Sequence, residues 1–239
     1  MTWSIVARDS TGAFGVAVAS RFFAVGSLCP AVRNGKGALS TQALINPLYA
    51  CASLKALDEN ASAEQIVTRA LGGDAGRDVR QFHVVDRNGA TAAHTGRECI
   101  AWCGHRAGAH YSVAGNMLAG PAVLEETARV YEQSSSRPFA ERLIAAMQAG
   151  EAAGGDKRGK QAAALLIHTT EDYPFLDLRV DDHAEPLLEL KRLLGASLER
   201  YQPFVSCLAK DANYAGITDR AVIDAEVARF HASRSGERR

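Results

Sequence analysis

The chain has 239 residues, 27 basic and 27 acidic side chains, 21 glycines and a hydrophobic fraction of 47%. That length suits one globular domain with an appendage, and a zero net charge without a basic stripe argues against a nucleic-acid binder. The apolar runs are too short to span a bilayer, and the opening MTWSIVARDS lacks the basic start and apolar middle of a signal peptide. Five cysteines (Cys29, Cys51, Cys99, Cys103, Cys207) at irregular spacing suit a reduced compartment, so a cytoplasmic protein with no membrane partner is expected.

Residues 3–8 and 13–20 are short, valine-rich runs separated by Asp9-Ser10-Thr11-Gly12, which predicts a β-hairpin. Two more strands are expected at 28–33 and 37–42 around an Asn34-Gly35 turn. The many small residues here predict a sheet covered on both faces. Pro47 opens a helical stretch through Leu48, Ala52, Leu54 and Leu57. Ser62 and Gln65 form a capping pattern for a second helix that Gly72-Gly73 ends. Residues 80–86 and 90–95 read as a hairpin around Arg87-Asn88-Gly89, and 99–103 and 110–116 as continuations of the same sheet. Helices follow over 121–133 and 138–150, strands over 161–169 and 177–181, and a leucine-rich helix over 185–201. Blocks of strands and helices, rather than strict alternation, give an α+β class with helices covering an antiparallel core. The expected domain covers 1–203. Residues 204–239 form a partly helical appendage with a frayed SRSGERR end.

Several segments, in order, carry a resemblance: TWSIVARD, GVAVASRFFAVG, STQALINP, AAHTG (92–96), GNMLAGP (115–121), AAGGDKRGKQAA (152–163) and LRVDDH (178–183). Over about residues 2–200 the chain resembles the bacterial family known as domain of unknown function 1028, assigned to the N-terminal nucleophile (Ntn) hydrolases. The resemblance implies a four-layer αββα sandwich of two antiparallel sheets between helix layers. It also implies acyl transfer at an N-terminal residue, and homo-oligomers of dimer size or larger. The small Thr2 would let aminopeptidase remove Met1. Thr2 would then carry both a nucleophilic hydroxyl and, in its α-amine, a base that titrates near neutral pH.

Around Thr2 an acyl-transfer site needs oxyanion donors and binding groups. Ser20-Arg21 ends the second strand, where the proteasome-like pattern places an acidic residue, Ser and Arg; here Ala19 replaces the acid. Arg33, with Lys36 nearby, stands where that pattern uses a third-strand lysine. Gln42 or the Ala43 amide, with Asn46 close by, and Asn116 are the oxyanion candidates. Gly154-Gly155-Asp156-Lys157-Arg158-Gly159 could cradle an anionic group through Asp156 and Arg158 without matching a Walker loop. Together Arg21, Arg33 and Arg158 point to an anionic small-molecule amide.

Other clusters carry less. Cys99, Cys103, His105 and His110 do not have the spacing of a structural zinc site, and period-2 alternation makes the two cysteines core residues. A cysteine nucleophile with His94 or His105 lacks a supporting motif. Asp181-Asp182-His183 reads as a strand-to-helix connection. No metal and no cofactor are expected. Beside the amidohydrolase stand two competing readings, a non-catalytic binding or scaffold protein and a cyclohydrolase without a covalent intermediate.

Overall fold

The computed structural model describes residues 2–236. Strands β1 (Thr2–Arg8) and β2 (Phe14–Ser20) pair as the sequence predicts, Thr2 standing opposite Ser20 at the open end. The Asp9 carboxylate closes the turn by accepting the N–H groups of Thr11 and Ala13, each at 2.9 Å. Strands β3 (Pro30–Arg33) and β4 (Gly37–Ala43) turn at Gly35, whose φ of 63° favours glycine. Strand β5 (Arg80–Asp86) pairs with β4 and with β6 (Thr91–Thr95), giving a four-stranded antiparallel sheet ordered β3-β4-β5-β6.

Strand β7 (Gly104–Gly108) and strand β8 (Tyr111–Asn116) join the other sheet. With β9 (Ala162–His168) and β10 (Leu176–Val180) it is six-stranded, ordered β10-β9-β2-β1-β8-β7. This corrects the expectation that 99–103 and 110–116 extend the β5–β6 hairpin. Residues 97–103 form an irregular crossing between sheets. Its Ile100 and Trp102 carbonyls accept the N–H groups of Met117 and Leu118 at 2.8 and 2.9 Å. Cys99 and Cys103 therefore lie in a loop rather than on a strand face.

Helices α1 (Pro47–Asp58) and α2 (Ala63–Gly72) pack on the four-stranded sheet. The predicted Ser62–Gln65 capping box is present, and Leu39, Tyr49, Leu57, Ile66, Phe82 and Val84 fill that layer. Helices α3 (Ala122–Gln133) and α4 (Phe139–Ala152) cover the six-stranded sheet. The inner faces of the sheets meet through β1 against β4, β2 against β3 and β5 against β8. The order of layers is helix, sheet, sheet, helix, an α+β sandwich.

Alternation along each strand assigns its faces. In β1, Trp3, Ile5 and Ala7 lie on the α4 side, while Thr2, Ser4 and Val6 face the other sheet. One end of the inter-sheet layer is apolar, with Val6, Phe14, Val16, Val32, Ala38 and Val85 packed together. The end at Thr2 is polar.

The chain divides into units Met1–Lys191 and Arg192–Arg239, with the boundary inside α5 (Pro186–Ser197). The predicted 185–201 helix stops at Ser197. Pro203, which has no N–H to give to a helix already under way, sits instead in the first turn of α6 (Tyr201–Val205). The expected frayed end is helical through Gly236, within α7 (Arg220–Gly236). Residues 237–239 lie outside the described residues. No helix among the described residues is long and apolar enough to cross a membrane.

Candidate active site

Thr2 begins β1 at the polar end of the inter-sheet layer and is 3% exposed. Its Oγ1 lies 3.1 Å from the Ser20 Oγ, directly across the β1–β2 ladder. Its carbonyl accepts from Asn116 Nδ2 at 3.3 Å and, more weakly, from Gln42 Nε2 at 3.5 Å. Asn116 is its ladder partner in β8, and Gln42 reaches across from the opposite sheet. Thus Ser20, Gln42 and Asn116, three of the residues singled out from the sequence, surround Thr2.

The Thr2 carbonyl can only accept, and this fixes the orientation of the amides around it. Gln42 and Asn116 must both turn their NH2 groups inward. Gln81 Oε1 then receives their second donors at 2.8 and 3.1 Å. Gln81 Nε2 in turn faces two carbonyls that can only accept, those of Gly115 and Gly104 at 2.8 and 3.0 Å, and lies 2.9 Å from Thr95 Oγ1. On the far side of Gln42, Oε1 accepts the Ser4 hydroxyl at 2.7 Å and the Ser40 hydroxyl at 3.3 Å. Ser4 has one proton and gives it to Gln42, so it accepts from His83 Nε2 at 2.8 Å. The other His83 nitrogen lies 3.1 Å from Ser112 Oγ. Burial drives the His83 pKa down to about 3, so the ring is neutral and serves as a hydrogen-bonding wedge.

This network was not assembled from the sequence. Gln81, His83 and Ser112 lie outside the segments that carry the resemblance, and Ser4 and Ser40 lie within two of them without a role assigned. Their signal is polar residues at i and i+2 within otherwise apolar strands: Thr2-x-Ser4, Ser40-x-Gln42 and Gln81-x-His83. Such spacing places the pairs on one face, and three strands repeat it.

The network also shows what Gln42 and Asn116 do. Both amide donors of each are engaged, with Thr2 and with Gln81, so they hold the threonine's backbone. The Ala43 amide differs. Leu44 N–H donates to Val79 O on the β5 side, and Thr41 N–H donates to Cys29 O on the β3 side. Alternation sends Ala43 N–H the same way as Thr41, but β3 begins at Pro30 and its ladder with β4 starts at Ser40. Ala43 N–H therefore points past the end of its partner strand. Its φ of 69° and that of Met117, 52°, put two non-glycine residues in the left-handed region beside Thr2.

The corner after Ala43 is fixed by Asp74. Its carboxylate accepts the Tyr49 hydroxyl at 2.8 Å, Gly76 N–H at 2.7 Å, Arg80 Nε at 3.1 Å and Asn46 Nδ2 at 3.4 Å. These donors, Tyr49 foremost, hold its carboxyl well below the usual range. Arg80 donates onward to the Leu44 carbonyl. Asn46, expected to bind substrate, instead caps α1, its Oδ1 accepting Leu48 N–H at 3.1 Å. Both ends of its amide serve the corner, which corrects that expectation.

Arg33 is also placed elsewhere. It pairs with Gly37 at the opposite end of β4 from Gln42, about 17 Å along the strand, and forms an ion pair with Asp58 at 3.0 Å. Strand β3 starts at Pro30, two residues later than the sequence predicts, and the turn at Gly35 sets Arg33 at its far end, so the end nearer Thr2 is Pro30, with Cys29 before it.

Asp156, Arg158 and Arg21 come together on the β2 side. The Asp156 carboxylate is buried and accepts Arg21 N–H and Arg158 N–H, both at 2.8 Å, and Arg158 Nη2 at 3.2 Å. The loop thus receives its own carboxylate in place of an external anion. Arg21 Nη1 donates to the Arg158 carbonyl at 3.3 Å. His94 Nε2 lies 2.8 Å from the Arg77 carbonyl in the turn that leads into β5, and His183 Nδ1 accepts Glu185 N–H at the start of α5. Among the described residues no group of three or more His, Cys, Asp or Glu side chains could hold a metal ion.

Fold and site together define a layered α+β sandwich with a threonine clamped at the lip of its first strand. The model of a family of unknown function, DUF1028, matches residues 2–190, and the chain belongs to that family. A crystal structure of a protein of the same family from Silicibacter pomeroyi is 29% identical. It aligns over 92% of this chain and 96% of its own with a TM-score of 0.84. Anbu, an ancestral β-subunit from Yersinia bercovieri, aligns over 82% of this chain and 94% of its own at 12% identity and a TM-score of 0.40. No curated protein matches the chain.

Proposed function

We propose that the protein hydrolyses a C–N amide bond of a small molecule, with Thr2 as nucleophile. The observation that carries this is the clamp on Thr2: its carbonyl is held by Asn116 and Gln42, and its hydroxyl is turned onto Ser20. Removal of Met1, which lies outside the described residues, frees the α-amine. The Thr2 hydroxyl then attacks the substrate carbonyl while the amine takes its proton. Ala43 N–H donates to the developing oxyanion, a role supported by its direction past the end of β3. Collapse breaks the C–N bond, the proton passes to the leaving amine, and an ester on Thr2 remains. Water hydrolyses that ester and restores the hydroxyl. Gln42, Asn116 and Gln81 act as positioning residues.

Intact-mass spectrometry with an electrophilic threonine-directed probe tests the reading. A mass lacking Met1 and carrying one adduct is expected, with no adduct on Thr2→Ala. Retained Met1 in protein from its native host, or equal labelling of Thr2→Ala, would refute it in favour of a non-catalytic binding protein.

A further inference from the structure

Resting on that reading of Thr2, we infer the class of its substrate: an amide whose acyl group is uncharged and apolar, seated in a cleft on the β8 side of the threonine. This cleft of about 290 Å³ is lined by Ala43, Leu44, Val79, Cys99, Ile100 and Met117, with Asn116 at its inner end and Glu98 at its edge. It is joined to Thr2 by two independent links. Asn116 is the ladder partner of Thr2 and binds its carbonyl. Ala43 carries the outward-pointing amide. An acyl carbon between Thr2 and Ala43 N–H has this cleft as its neighbouring space.

The lining decides the chemistry of the occupant. Six of the eight residues present aliphatic or thiol groups. Leu44 and Ile100 are 63% and 59% exposed, apolar surface that gains by being covered. Burial raises the pKa of the Cys99 thiol, which keeps it protonated and neutral, and it donates to the Arg80 carbonyl. The sole charged side chain of the lining is the Glu98 carboxylate, which has no ion-pair partner among the described residues. A carboxylate on the acyl group would meet it unfavourably. The anionic substrate expected from Arg21, Arg33 and Arg158 is thereby revised. Arg33 is at the other end of the sheet, Arg158 pairs with Asp156, and neither they nor Arg21 line this space. At about 30 Å³ for each water-sized group, the volume has room for on the order of nine groups, enough for a six-carbon acyl chain or a phenyl ring.

The walls are held in shape by the backbone. Met117 N–H donates to the Ile100 carbonyl at 2.8 Å, so the 97–103 crossing and the end of β8 form one rim. Arg80, anchored on Asp74, fixes the Leu44 side. Ile100 and Leu44 are thus specificity-determining positions at the mouth.

Binding is measured on full-length Thr2→Ala protein, so that chemistry does not intervene, with acetyl, hexanoyl and succinyl p-nitroanilides. Each buried methylene is worth about fourfold, so the hexanoyl compound is expected to bind at least tenfold tighter than the acetyl compound even with two methylenes buried. It should also exceed the succinyl compound by at least as much, and Glu98→Gln should narrow that gap. Ile100→Asp and Leu44→Asp, both at exposed positions that tolerate a charge, should each abolish the hexanoyl advantage. Equal affinity for the three compounds, or an unchanged hexanoyl advantage in both variants, would overturn the assignment. So would a change confined to oligomeric state by mass photometry, which would make the cleft an interface between copies. Turnover of the hexanoyl compound by the wild-type protein is scored separately. Its absence with selective binding intact would count against the nucleophile and leave the substrate class standing.

Discussion

Replacing Gln81 with leucine removes the one side-chain acceptor that Gln42 and Asn116 share, leaving them only the Thr2 carbonyl in common. The leucine is close in size, so the change is chiefly the loss of polar partners. Gln42 Nε2 and Asn116 Nδ2 each lose an acceptor, at 2.8 and 3.1 Å, in a site where Gln81 and Gln42 are wholly buried and Asn116 is 2% exposed. A buried donor left unsatisfied costs about 1–3 kcal/mol, so the pair amounts to about 2–6 kcal/mol, a large share of the 5–15 kcal/mol typical of a domain. The carbonyls of Gly104 and Gly115 lose a donor as well, so the upper half of that range is expected. At about 2–4 °C per kcal/mol for a domain of this size, even 3 kcal/mol lowers the melting temperature by roughly 6–12 °C. Urea titration followed by circular dichroism measures the loss. Gln81→Glu, which keeps the acceptor for both amides but turns oxygen toward the Gly115 carbonyl, should not restore stability. A Gln81→Leu protein within 1 kcal/mol of wild type would refute the assigned amide orientations, because the network would then not depend on its hub.

The remaining predictions concern the same layers. In the unfolded chain His83 takes a proton near 6.5, but in the folded protein only near 3. Stability should therefore be complete above pH 6.5 and fall as pH drops toward 3, by up to about 1.4 kcal/mol per pH unit. His83→Gln should flatten that slope in denaturation series across this range. Gly150→Ala reverses the usual helix preference. A methyl there would stand 2.2 Å from Thr127 Oγ1 and 3.0 Å from Trp3 Nε1, so a loss of about 1–3 kcal/mol is expected where an open helix would gain about 1. Ser62→Ala should cost about 1 kcal/mol, and a double-mutant cycle with Gln65→Ala should show coupling, since each side chain satisfies the other's backbone N–H.

Local rules made much of the sandwich legible. Turn residues, the Ser62 cap and Pro47 mark boundaries through interactions within a few residues, and these elements stand close to where the sequence puts them. The pairing of β8 with β1 was not legible, because it joins residues more than a hundred positions apart and the adjacent hairpin offered a nearer partner. The site divides along the same line. Thr2, Ser20, Gln42 and Asn116 sit at strand ends that meet, and strand position and the family resemblance together single them out from the sequence. Arg33 is set apart from Thr2 by the Asn34-Gly35 hairpin itself, which pairs it with Gly37 at the turn and leaves Pro30 at the end nearer Gln42. Asn46 and Asp156 failed differently: a polar side chain in a loop looks available until its local backbone donors and acceptors are counted. Gln81 was missed because burial, not residue type, gives it its weight.

The two faces of β1 bear on how this molecule can change. Its even positions face the other sheet and its odd positions lie beneath a helix, so the strand has a phase as well as a place. A one-residue slip would bring Trp3 to the lip, exchange Ser4 for Ile5 against His83, and turn Val6 toward α4. Each of these is a misfit at a different layer. The cost of a slip would thus be spread along the strand, so no single substitution at the front could make it tolerable. The position of the threonine is secured by residues that never approach it, and variation there is confined to exchange of one side chain for another at a fixed address.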